Sequence, residues 1–336
     1  MKSNRITKAL STPGTLSIIV VSGLLALLFI TCFSHQGISD TGNIMSYPLL
    51  RLSENLLHSG WDVFLGSTVV FFVDILAVGI LVFLLFRSNE RYSFIRVRTL
   101  MPCLFFVFLL ITSHVPLMFS SGLWGVFFLL FALRRLMSAY QEQNPTRNVF
   151  DVFFLLAIGS FFSFELLLLI PVFWLSFPFF RITSFRSFMA SVIGLATAYI
   201  LLAAVMFLLG ALPDFWDFVR KQSEISVSFL GISLQIAYLS FLFLVFLLSF
   251  FSFWVRTNDD KIRVKQTLYF FFLLTFSLFV VSVIRIEFFS QFFPLLALML
   301  SITAGHYFAL NESRFSLFCF VFFVLGSVVF FVITYI

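Results

Sequence analysis

Charge is scarce in this chain. Only 11% of its 336 residues are Asp, Glu, Lys or Arg, against about a quarter in a soluble domain. Hydrophobic residues make up 61% of the sequence, and mean hydropathy is +1.10. One globular core cannot hide that much apolar surface. The bilayer must act as solvent, and the backbone must satisfy its own hydrogen bonds as helices. Strict apolar–polar alternation is also missing, which argues against a membrane barrel. Cysteine is sparse. Cys32, Cys103 and Cys319 lie far apart in apolar runs, without a CxxC pair, zinc spacing or disulfide framework. They read as small hydrophobes. No GxxxxGK[ST], GxGxxG, HExxH or GxSxG motif stands in a fitting context, which argues against soluble nucleotide, zinc-protease and hydrolase chemistry. A long basic tail is absent too, so the net charge of +6 does not point to nucleic acid.

What the sequence has in excess is phenylalanine, 54 residues, which reads as lipid-facing and interhelical bulk. It also has long apolar runs. Leu16 to Phe33 follows Lys2, Arg5 and Lys8 in the order of a secretory signal. The run is longer than a signal core and no A-x-A site follows, so it is expected to remain as a first span. Further spans are expected at about 64–86, 188–212, 230–255, 268–284 and 292–310, with a last one from Phe315 to the C-terminus. Residues 100–112 and 117–133 form a tight hairpin with His114 and Pro116 at its tip. The run 149–180 is too long for one helix across a core of about 30 Å and short for two full spans. It is therefore expected as two short helices, 149–162 and 166–180, turning near Glu165. The expected fold class is all-α, a single polytopic transmembrane domain of about eleven helices with short helical hairpins.

Charge sets the orientation. With the N-terminus cytoplasmic, 17 of the 21 Lys and Arg residues fall in cytoplasmic segments, the positive-inside pattern. The external loops are then about 34–62 and 213–229. The first is the longest polar-bearing interval, His35 to Trp61, and holds Asp40, Asn43, Arg51, Glu54 and His58. Within it Tyr47 to Leu57 has an apolar side of leucines opposite Arg51, Glu54 and Asn55, as in a helix lying in the interface.

Four features meet at the outer side of this topology: the first loop, the tips at His114 and Glu165, the 213–229 loop, and the turn Arg285–Glu287. Short hairpins would set these tips below the membrane surface, where polar groups are costly and line water or a site. The segment VVSVIRIEFFSQFFPLLALMLS resembles the late segment of GT-C glycosyltransferases, polytopic enzymes that use polyprenyl-phosphate sugars. There an external Arg precedes an aromatic and a Pro-containing helix. The run FDVFFLLAIGSFFSFELLLLIPVFWL is similar to their short helix pair. The opening order, one span and then a long external loop with an interfacial helix, is similar as well.

The resemblance implies a GT-C-like arrangement and a transferase acting on a lipid-linked sugar at the outer face. It makes Asp40 the catalytic base or metal partner, although that family often shows two adjacent acids and here Thr41 follows. Arg285 would bind the lipid-linked phosphate, a charge-assisted contact. Arg51, His58 and Glu165 are further substrate-binding candidates. A divalent metal bridging acid and phosphate is the implied cofactor. Membrane lipids and a polyprenyl-phosphate-linked sugar are the implied partners. Over most of its length the chain also resembles a Phe-rich polytopic family of Bacteroidota, which brings no activity to transfer. The expected location is the bacterial cytoplasmic (inner) membrane.

Plainer roles stand beside these. Asp40, close to Gly37, Thr41 and Gly42, fits a turn. Arg285 with Glu287 fits an interfacial anchor pair. Glu165 fits a solvated turn residue. His35 and His58 fit interface positions, and His306 fits an ordinary helix residue. Asp151, near a helix start, fits a cap-region acid. Asp74 sits near the middle of its span, where a carboxylate costs about 2.5–3.5 kcal/mol on the insertion scale. It makes either an interhelical hydrogen bond or a coupling site. A transporter or flippase-like carrier using Asp74, and a non-catalytic membrane subunit of an envelope complex, are therefore the alternative functions.

Overall fold

The computed structural model describes residues 20, 21, 23, 24, 63–92, 99–113, 121–140, 142–208, 233–256, 262–311 and 313–335. Among them every regular element is a helix. In chain order these are α1 (Val63–Tyr92), α2 (Met101–Thr112), α3 (Ser121–Ser138), α4 (Thr146–Gly159), the single turn α5 (Glu165–Leu168), α6 (Ile170–Phe180), α7 (Phe185–Leu208), α8 (Ser233–Arg256), α9 (Ile262–Ile284), α10 (Phe289–Leu310) and α11 (Arg314–Tyr335). A 3-10 turn, Ile286–Phe288, joins α9 to α10. Among the described residues five stretches are long and apolar enough to cross a membrane: Phe185–Leu208, Leu234–Val255, Ile262–Ile284, Gln291–Leu310 and Arg314–Ile333. The chain is a multi-pass, all-helical membrane protein.

Local sequence explains the helix ends. Pro102 and Pro171 open α2 and α6, where a missing amide costs nothing. At the end of α6, Arg181 takes a left-handed conformation, φ 57°. The Ile182 amide then donates back to the Phe177 carbonyl at 3.0 Å, closing the helix as glycine usually does. Ser184 and Ser313 accept the amides of Ser187 and Ser316 at 3.1 Å, which are N-caps of α7 and α11.

Hydroxyls inside the helices are satisfied by their own backbone. Ser249, Thr275 and Ser282 each donate to the carbonyl four residues earlier, at 2.9, 2.7 and 2.6 Å. Cys103 and Cys319 are free and buried.

Helix α10 is the axis of the bundle. It packs against α2, α3, α8 and α9, and 89% of its apolar window is buried. Lipid supplies no hydrophobic force between helices, so close approach relies on small residues. Gly305 lies against Pro102, where an added Cβ would meet the ring at 3.0 Å. Helix α7 packs on α4 and buries the small residues Ser187, Ala190, Ser191, Gly194 and Ala198. At Gly194 a Cβ would stand 2.7 Å from the Phe150 carbonyl oxygen. Phenylalanines fill the remaining volume. Phe105, for example, meets Phe308, Phe320 and Phe323 at centroid distances of 5.3, 6.0 and 5.3 Å.

Contacts at one end of the bundle tie the loop-bearing helix termini together. The Tyr92 and Ser138 hydroxyls are 2.8 Å apart. Arg263 donates to the Met137 carbonyl at 3.3 Å and lies over the Tyr140 ring. Asp151 belongs here too, and its cap-region role is corrected. The first turn of α4 holds no acidic residue, and Asp151, one turn further in, pairs with Arg135 at 3.5 Å.

Candidate functional site

The opposite end holds two turns that the sequence separates by 120 residues. The first joins α4 to α5 and carries Ser163, Phe164 and Glu165. The second joins α9 to α10 and carries Arg285 and Phe288. The structure brings them together. The Arg285 guanidinium carbon lies 5.1 Å from the centre of the Phe164 ring and 4.6 Å from that of Phe288. A guanidinium over two aromatic faces gains cation–π attraction that grows as water is excluded. Arg285 is only 7% exposed. Among the described Lys and Arg side chains it is the one at this end.

Glu165 is 0% exposed, so it is not the solvated turn residue that its sequence context allows. Its Oε2 accepts a hydrogen bond from the Ser163 hydroxyl at 2.6 Å, in the short range found for hydroxyls on carboxylates. Its Oε1 has no hydrogen-bond partner among the described residues. A buried polar atom left unpaired is uncommon in folded proteins and calls for a reason.

Two glycines on α3 create the space. At Gly125 a Cβ would meet that of Ser163 at 2.7 Å, and at Gly122 it would run into the backbone carbonyl oxygen of Gln291. They stand one turn apart on one face of α3, so α3 seats both the Ser163 turn and the start of α10. Pro294 adds to this. It sits inside α10 and removes the amide that would donate to the carbonyl of residue 290. Beside the turn, Trp124 of α3 and Phe162 lie 6.1 Å apart, and Phe162 stacks on Phe128 at 5.4 Å.

Of the residues singled out from sequence, Arg285 and Glu165 fall in this cluster. Asp40, Arg51, His58, His35 and His114 lie outside the described residues. The side chain of Glu287 does as well, so only Arg285 of the anchor pair is placed, and it is buried. Asp74 lies within α1, its side chain outside the described part. His306 is buried near the far end of α10, edge-on to Phe253 at 6.1 Å.

Ser163, Phe164, Phe288, Trp124 and Gln291 went unnoticed in the sequence. The one signal for them was the pair of small residues Gly122 and Gly125 on one helix, since small residues let backbones approach closely. A divalent cation takes about six or more oxygen ligands, and Glu165 alone is too thin a set. Among the described residues no group of three or more His, Cys, Asp or Glu could hold a metal ion. No family, curated protein or solved structure matches this chain.

Proposed function

We propose that the protein is an envelope enzyme of the lipid-linked glycosyltransferase kind, or a degenerate relative. It would sit in the bacterial inner membrane with about eleven membrane segments, a cytoplasmic N-terminus and its site on the outer face. The observation that carries this reading is the buried Arg285, held between Phe164 and Phe288 next to the Glu165 turn. A cation fixed at a membrane end by aromatic rings suits the phosphate of a lipid whose tail stays in the bilayer. Guanidinium–phosphate contacts are charge-assisted and roughly twice as strong as neutral ones.

In the proposed reaction Asp40 takes the proton of an acceptor hydroxyl as that oxygen bonds to the sugar's anomeric carbon. The bond from that carbon to the phosphate oxygen breaks, and the polyprenyl phosphate leaves with one more negative charge, which Arg285 neutralises. The test is sugar transfer from polyprenyl-phosphate sugars by the purified protein in lipid nanodiscs. Transfer by the wild type should fall about 100-fold or more in Asp40→Asn, the scale of general base catalysis. A wild-type protein that transfers no sugar from any such donor would remove the reading.

The place of Asp74 inside the apolar helix α1 favours a second reading, a carrier coupled to an ion or proton. Full transport by Asp74→Asn would eliminate it.

A further inference from the structure

We infer that Glu165 and Trp124 form the sugar-recognition half of the outer site, with Glu165 accepting hydroxyls of a pyranose through Oε1. The inference rests on the lipid-phosphate reading of Arg285 and assigns the residues that recognise the sugar on that phosphate.

Three observations lead here. First, the carboxylate is half used. Ser163 holds Oε2 at 2.6 Å, which fixes the group's orientation, while Oε1 has no partner among the described residues. A carboxylate oxygen only accepts hydrogen bonds, so its missing partner is a donor. Second, the neighbouring surface is aromatic. Half-buried Trp124 lies 6.1 Å from Phe162, which stands three residues before Glu165. A pyranose has hydroxyls on its rim and C–H groups on its faces, so it offers donors to Oε1 and an apolar face to the indole. Third, Phe164 links this half to the cation, since its ring lies 5.1 Å from the Arg285 guanidinium carbon. One turn thus holds a hydroxyl acceptor on one side and a phosphate-binding cation on the other. That is the order of groups in a sugar phosphate.

Oε1 is closed off here. The ligand therefore reaches it only by displacing a side chain that covers it. Glu165→Gln keeps the size of the side chain and lets its oxygen accept from Ser163, while an NH2 that cannot accept takes the place of Oε1.

The experiment is a binding measurement that needs no turnover. Wild-type protein in nanodiscs is titrated with polyprenyl phosphate and with the same lipid carrying one hexose, and bound lipid is read by native mass spectrometry. The glycosylated lipid should bind about tenfold more tightly, the worth of a hydrogen bond to a charged group. Glu165→Gln should remove most of that preference and leave the affinity for bare polyprenyl phosphate unchanged. Trp124→Ala should reduce the preference, and Trp124→Phe should restore most of it. Arg285→Ala should weaken both lipids alike. If the two lipids bind equally to wild type, or if Glu165→Gln keeps the preference, Glu165 is not the sugar group, although Arg285-dependent binding of the bare lipid would still support the lipid-phosphate reading. If neither lipid binds, both proposals fall.

Discussion

Helices α10 and α11 are neighbours in sequence and opposites in the fold. The apolar window of α10 has a mean hydropathy of 1.6, and 89% of it is buried. That of α11 has a mean hydropathy of 2.8, and 22% of it is buried. The less hydrophobic helix is the interior one. In water the order would be reversed, since burial there removes apolar surface from solvent. In a bilayer the lipid is as apolar as leucine. Helices go inside because they carry polar groups that need protein partners and small residues that let backbones approach. Helix α10 has Gln291, Ser301, Thr303, Gly305 and His306, all in the interior. Helix α11 exposes Phe315, Phe318, Phe322 and Leu325, as a lipid-facing helix should.

The contrast can be broken by matched substitutions. Phe292 of α10 is fully buried and Phe318 of α11 is 67% exposed. Phe292→Ala should destabilise by about 3–5 kcal/mol through the cavity it leaves. Phe318→Ala should change stability by no more than about 0.5 kcal/mol. Thermal unfolding in nanodiscs measures both, and equal losses would mean that α10 is not the axis. A smaller effect separates two glycines. Gly122→Val drives a branched side chain against the backbone of Gln291, where nothing flexible can give, and should cost about 1–3 kcal/mol or more. Around Gly79 no atom lies within 4 Å of an added Cβ. Gly79→Ala should therefore be neutral or stabilising by about 0.5–1 kcal/mol, because alanine is the better helix former. The same unfolding assay orders the two.

Much of the fold was legible in the sequence. Apolar run lengths placed the helix pairs within a few residues, and the short pair around Glu165 emerged as α4 and α6 because no single helix of that length fits a bilayer. The central place of α10 was not legible, since hydropathy alone ranks it below its neighbours. At the site, Arg285 and Glu165 stood out as isolated charges in apolar sequence. Their meeting through Phe164 did not, because phenylalanine is everywhere in this chain and carries no signal by type. Ser163 was hidden for a similar reason, among many serines such as Ser249 and Ser282 that bond only to their own helix. Asp151 misled because charge near a helix start fits a cap or an ion pair equally well. Only the position of Arg135 on a neighbouring helix decides between them.

An outer-face site requires the Arg285 end of the bundle to face outward and the Arg135 end to face the cytoplasm. Single cysteines at Asp217, in the 209–232 segment that follows α7, and at Gln143, between α3 and α4, report this in intact cells of a variant lacking the native cysteines. Labelling with a membrane-impermeant maleimide should mark the Asp217→Cys protein at once and the Gln143→Cys protein only after the membrane is opened. The reverse pattern would put Arg285 and Glu165 on the cytoplasmic side and contradict an outer-face site.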